Sequence, residues 1–260
     1  GVSLCGKILN NLRFADDIDL IVTSKTDLQR LTDKMYVKSR KFGLQINIKK
    51  TKVMSFGKHQ EDLEVGKFAY LGGLVLENGS CEEDIKRRIG LASAAFGRLS
   101  RIWKVKNILV KMKVRVYEAM VIPILLYGSE YWSMRKVDEQ KILTTEMSWL
   151  RGILGVSRMQ RIKNDIRRIL LGQETTLIQK IPERRLRWFG HVSRMETARI
   201  PFMALHTEAH GTRSRGRPRK CWIGNVKSDL SQKGIQMTEA ARLVQNQQHS
   251  SIQVTRAHSI

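Results

Sequence analysis

"LRFADDIDLIVTS", residues Leu12–Ser24, sets two adjacent carboxylates, Asp16 and Asp17, between two strand-like runs. Leu12–Ala15 and Ile18–Val22 read as the arms of a β-hairpin with the acidic pair as its two-residue tip. Like charges placed side by side repel unless something positive stands between them. Magnesium is such a species, since it takes oxygen ligands and is held by one or two carboxylates together with substrate phosphates. A solvated polar turn is the other reading, because Asp is common in turns. The dipeptide by itself favours the turn.

The segments that follow define a fold class. "TDLQRLTDKMYVKSRKFG" carries Leu28, Leu31, Met35 and Phe42 at helical intervals, with Thr26 and Gln29 at capping-box spacing and Gly43 as a stop. "LQINIKKTKVMSF" alternates as short strands, and "KFAYLGGLVLENG" predicts a further strand pair ending in an Asn78-Gly79 turn. After Gly79 the period changes. Ser80 and Glu83 have capping-box spacing, and Ile85, Ile89, Ala92, Phe96, Leu99 and Trp103 make one apolar stripe on a long helix. Further helices are expected over Leu109–Val121, Val137–Leu154 and Asp165–Leu171. The expected class is therefore α+β: a hairpin, a helix and more strands, then a mainly helical bundle and a basic C-terminal region.

Composition narrows the partners. The 260 residues include 47 Lys and Arg against 24 Asp and Glu, a net charge of +23. Solubility alone needs a magnitude of only about 2–8, so a polyanionic partner is expected. Between Arg184 and Lys220 ten Lys and Arg stand against two acids, interleaved with Trp188, Phe189 and Phe202. Arg and Lys contact phosphates, and exposed aromatics stack on single-strand bases; the alternative is that Trp188 and Phe189 are core. Arg215-Gly216-Arg217-Pro218 matches the core of a minor-groove AT-hook or is a solvated loop.

Several classes are excluded or disfavoured. Three cysteines, Cys5, Cys81 and Cys221, are odd in number and far apart, which suits a reducing compartment rather than a disulfide framework. The longest uncharged apolar run, Ala119–Ser129, is well short of the ~20 residues a bilayer span needs, so no membrane partner is expected. His206, His210 and Cys221 lack the paired cysteines of a structural zinc site, and zinc is not expected. GxSxG, HExxH and GxxxxGK[ST] are absent.

The order of these segments resembles the reverse transcriptase of non-LTR (LINE-type) retrotransposons. "FADD" is similar to that family's acidic box at the palm hairpin, "GLQINIKKTK" to its next palm motif, and "FAYLGG", Phe68–Gly73, to its primer-grip hairpin. "VYEAMVIPILLYGSEYW", "RRLRWFGHVSRM" and "RGRPRKCW" resemble segments that recur towards the C-terminus of these elements. The resemblance spans roughly residues 8–230. It implies that Asp16 and Asp17 hold catalytic Mg2+, that Phe14 fills the aromatic position, and that Lys50 lies by the incoming nucleotide. It places Phe68, Tyr70, Leu71 and Gly72 at the primer end.

By the same comparison, 1–79 is a partial palm, 80–171 a thumb-like bundle and 172–244 a basic nucleic-acid-binding region, while the loss of pattern from Gln245 predicts a disordered tail over 245–260. The expected nucleic-acid contacts are Arg87, Arg88, Arg98, Arg101, Arg185, Arg187, Trp188, Arg215, Arg217, Arg219 and Lys220. The implied partners are an RNA template and a DNA primer or target, with no small-molecule cofactor and with action in the nucleus after a cytoplasmic stage. In the family a third carboxylate and the fingers precede this hairpin, and the eleven residues before Leu12 do not hold them. The chain reads as the later part of a longer protein, with the isolated polypeptide inactive. The alternative is a non-catalytic nucleic-acid-binding protein derived from such an element.

Overall fold

The computed structural model describes residues 1–56, 65–157, 175–207 and 220–246. The expected helix at 165–171, the Arg215, Arg217 and Arg219 contacts, His210 and the tail from residue 247 lie outside them. The fold is α+β; among the described residues there are three separate two-stranded antiparallel pairs, and the remaining elements are helical. Contacts divide the chain into two compact units, one comprising 1–53 with 191–218 and the other 54–190 with 219–260.

The first unit begins with two hairpins. β1 (Val2–Leu4) pairs with β2 (Lys7–Leu9), and β3 (Asn11–Phe14) with β4 (Asp17–Leu20). Phe14 sits opposite Asp17, so the β3–β4 tip is Ala15–Asp16, one residue earlier than the alternation predicts, and Asp17 belongs to a strand. Ala15, at φ 51°, supplies the left-handed first position that a two-residue hairpin turn requires. Helix α1 (Lys25–Lys41) follows and packs on β4. Its cap is Ser24, whose Oγ accepts from Asp27 N at 3.2 Å, rather than the Thr26–Gln29 pair. Gln29 donates to Asp33 instead.

Of the strands expected in "LQINIKKTKVMSF", only a bridge at Val53 forms. Asn47 accepts from Lys50 N through both its backbone and side-chain oxygens, at 3.1 and 3.2 Å, and from Thr51 N at 3.0 Å. These local bonds give the backbone an alternative to a ladder. None of residues 1–53 is buried.

The second unit holds the core. β5 (Lys67–Tyr70) and β6 (Gly73–Leu76) form a hairpin that packs against α2 (Glu82–Arg98), so this hairpin belongs with the helices. The second capping box is also absent. Cys81 is the N-cap without a side-chain bond, because Ser80 Oγ takes the Glu82 N–H and Glu83 pairs with Lys67.

The apolar stripe faces inward as its spacing predicts, with Ile85, Ala92 and Trp103 buried and Ile89, Phe96 and Leu99 packed beside them. It crosses a break at Leu99 into α3 (Ser100–Lys104). α4 (Val110–Met120), α5 (Ile122–Leu125, with Pro123 in its first turn) and α6 (Lys136–Leu154) complete the bundle. Phe96 stacks on Trp103 at 5.0 Å and on Trp149 at 6.0 Å. Each such side chain, fully buried, contributes roughly 1.5–3 kcal/mol. Lys113 is buried with them, and its Nζ donates to the Trp103 carbonyl at 2.7 Å, closing the end of α3.

α7 (Leu177–Ser193) adds Leu177 and Ile181 to the core. α8 (Ile200–His206) packs on β1 in the first unit, where Cys5 Sγ lies 3.3 Å from Thr207 Oγ1. α9 (Trp222–Gln232) and α10 (Met237–Asn246) end the described chain. Among the described residues no helix is long and apolar enough to cross a membrane.

Candidate nucleic-acid interface

At the first tip Asp16 and Asp17 are both exposed, and Phe14 beside them is 60% exposed. Successive strand residues point to opposite faces, so Asp17 shares its face with Asp19 rather than with a close neighbour of its own. The two carboxylates offer oxygen atoms of the kind magnesium takes. Yet among the described residues no three His, Cys, Asp or Glu side chains cluster where they could hold a metal ion. Lys50 is exposed on the turn that Asn47 closes.

The second tip is built differently. Leu71 and Gly72 turn the β5–β6 hairpin with φ of 45° and 80°, and both of their carbonyls are held by side chains. Tyr127 Oη donates to the Leu71 carbonyl at 2.8 Å. Arg87 donates to the Gly72 carbonyl at 2.9 Å, and Arg88 donates to the same oxygen. The Arg88 guanidinium also lies over the Tyr127 ring, 4.4 Å from its centroid. Phe68 and Tyr70 stack along the preceding strand.

Beneath this tip lies Asp84, fully buried. Its carboxylate accepts from Leu74 N at 3.1 Å, Tyr131 Oη at 2.6 Å and Trp132 Nε1 at 2.9 Å. Burial, and then the bond to the Asp84 carboxylate, push the Tyr131 phenol well above its ordinary range. One buried acid thus ties the hairpin, α2 and the 129–132 turn together. Hydrogen bonds to a charged acceptor contribute about 1.5–3 kcal/mol each.

The expected phosphate contacts separate by burial. Arg98 and Arg101 are exposed, as are Lys104, Lys106, Lys111 and Arg115. No Asp or Glu occurs between Arg98 and Tyr117, and none of these six cations is ion-paired among the described residues. Arg88 and Arg185 are buried and engaged inside the protein instead. Arg185 donates to Asp229 at 2.5 Å and to the Trp132 carbonyl at 2.9 Å. Burial raises the pKa of Asp229, with Arg185 opposing.

Arg187 and Trp188 are exposed, whereas Phe189 is buried against Trp222. Lys220 is exposed, with Nζ donating to the Met134 carbonyl. Sequence reasoning missed Asp84, Tyr127, Tyr131 and Trp132. Asp84 has the appearance of an ordinary first-turn acid of α2, and only the tertiary fold brings its three donors to it.

No protein-family model matches the chain, and no solved structure matches it. A curated protein of Caenorhabditis elegans, described as an "uncharacterized transposon-derived protein", is 28% identical over 246 residues, covering 87% of each chain.

Proposed function

We propose that this chain is a reverse-transcriptase-type protein derived from a non-LTR retrotransposon, and that the isolated polypeptide binds nucleic acid without extending a primer. Three things support the lineage: the order of the motifs, the placement of "FADD" and "FAYLGG" at two hairpin tips, and a transposon-derived relative along most of the chain. The binding reading rests on one observation above the rest, the acid-free stretch Arg98–Tyr117 with its six exposed, unpaired cations. Neutralising phosphates with such residues releases counterions and gives affinity that falls with salt. The catalytic half of the resemblance has less support, since two open carboxylates do not position a phosphoryl group and positioning is much of what that transfer needs.

The test uses a labelled RNA template annealed to a DNA primer, with magnesium and deoxynucleotides, comparing the full chain with Asp16→Asn and Asp17→Asn. Salt-sensitive binding, equal in all three and without extension, is the expected result. Extension by the parent chain that both variants lose would overturn the binding-only reading. Failure of all three to bind would overturn the proposal altogether.

A further inference from the structure

We infer that Tyr127 is a stacking platform for an unpaired base, with Arg87 beside it for the adjoining phosphate. The second hairpin tip would then take single-stranded nucleic acid. The inference rests on the proposal that the chain binds nucleic acid, and it adds where an unpaired strand is held and by what chemistry.

Tyr127 is 50% exposed, yet its ring is fixed. The hydroxyl is bonded to the Leu71 carbonyl, and Arg88 lies over the ring. Gly72 comes so close that a Cβ there would sit 3.2 Å from Tyr127 Cε1. An aromatic side chain free to move loses rotamer freedom when a ligand packs on it, at roughly 0.5–1.5 kcal/mol. Here that ordering is already complete, and half the residue still faces water.

The Arg88 guanidinium is buried, so it cannot reach a phosphate. Its place on the ring starts a stack on a residue that is still half exposed. A base there would complete it, whatever its identity, since every base has a π-face. Arg87 supplies the other half. It is exposed and uses one N–H on the Gly72 carbonyl, with Asp84 3.9 Å away. A guanidinium has five N–H donors in a planar fork, so donors remain for a backbone phosphate next to the stacked base. The ligand class is therefore a single strand with at least one accessible base, without sequence preference.

The experiment is fluorescence anisotropy of the full chain with fluorescein-labelled oligothymidylate, and with an abasic oligomer of the same length. The parent chain should bind oligothymidylate more tightly than the abasic strand. Tyr127→Ala should weaken oligothymidylate binding by about 5- to 150-fold, while leaving the abasic affinity and the salt slope unchanged. Tyr127→Phe, which keeps the ring, should retain most of the affinity. Arg87→Ala should instead reduce the salt slope by about 0.7.

Equal losses on both strands in Tyr127→Ala would show only a damaged fold and overturn the platform. No difference between oligothymidylate and the abasic strand in the parent chain would overturn it too. In either case binding of both strands would leave the broader proposal standing, whereas no binding to any strand would remove that proposal as well.

Discussion

At the tip of β3–β4, Ala15 and Asp16 turn in solvent, and among the described residues no side chain is bonded to their carbonyls. At the tip of β5–β6, Leu71 and Gly72 make a turn of equal length, but Tyr127, Arg87 and Arg88 hold both carbonyls and Asp84 anchors the strand behind them. The contrast extends to the chain around each. Residues 1–53 bury nothing, whereas the helical unit buries an aromatic and aliphatic core. A motif is thus read equally well from the sequence in both places, but only one of the two is set rigidly by its surroundings.

Substitutions at the two tips should separate sharply. Asp84→Ala leaves Leu74 N, Tyr131 Oη and Trp132 Nε1 without their acceptor, and should cost roughly 3–5 kcal/mol in denaturant unfolding. A loss under about 1 kcal/mol would mean that the second tip is no better anchored than the first. Gly72→Ala combines φ of 80° with the close Tyr127 ring and should cost about 1–3 kcal/mol. Ala15→Gly, which relieves the left-handed strain at the first tip, should instead be neutral or stabilising by up to about 1 kcal/mol.

A pH effect belongs to the anchored side. Lys86, then Arg135, holds the Glu82 carboxyl at about 2, below its ordinary 4.5. The ionised form is therefore favoured in the folded state. Its contribution is whole above the unfolded value and is lost as pH falls from 4.5 towards 2. Tm measured across that window should fall less steeply in Glu82→Gln than in the parent chain. The smallest effect is expected at Asp16→Asn and Asp17→Asn, each within about 0.5 kcal/mol of the parent chain. A larger change would mean that these carboxylates have partners in the fold after all.

How much could be read beforehand follows the same division. The Ile85–Trp103 stripe was legible because a helical period is a local signal, and the structure buries it as the spacing predicts. Cap residues were not, since Ser24 and Cys81 displaced the expected boxes through a shift of one or two positions. The strands around Asn47 failed because its side chain bonds the backbone locally. At the candidate site, Arg98 and Arg101 were visible as surface cations, but Arg88 and Arg185 carry the same side chain and are buried. No pattern distinguishes them, because their partners Gly72, Tyr127, Asp229 and Trp132 lie far along the chain. Asp84 stayed hidden for the same reason.

The central claim is that the exposed cations of the helical unit hold nucleic acid. It is tested most directly by the salt dependence of duplex DNA binding, comparing the parent chain with a variant carrying Gln at 98, 101, 104, 106, 111 and 115. If these six side chains contact phosphates, the slope of log affinity against log salt should lessen by about 5, with the fold unchanged by circular dichroism. An unchanged slope in a folded variant would contradict the account.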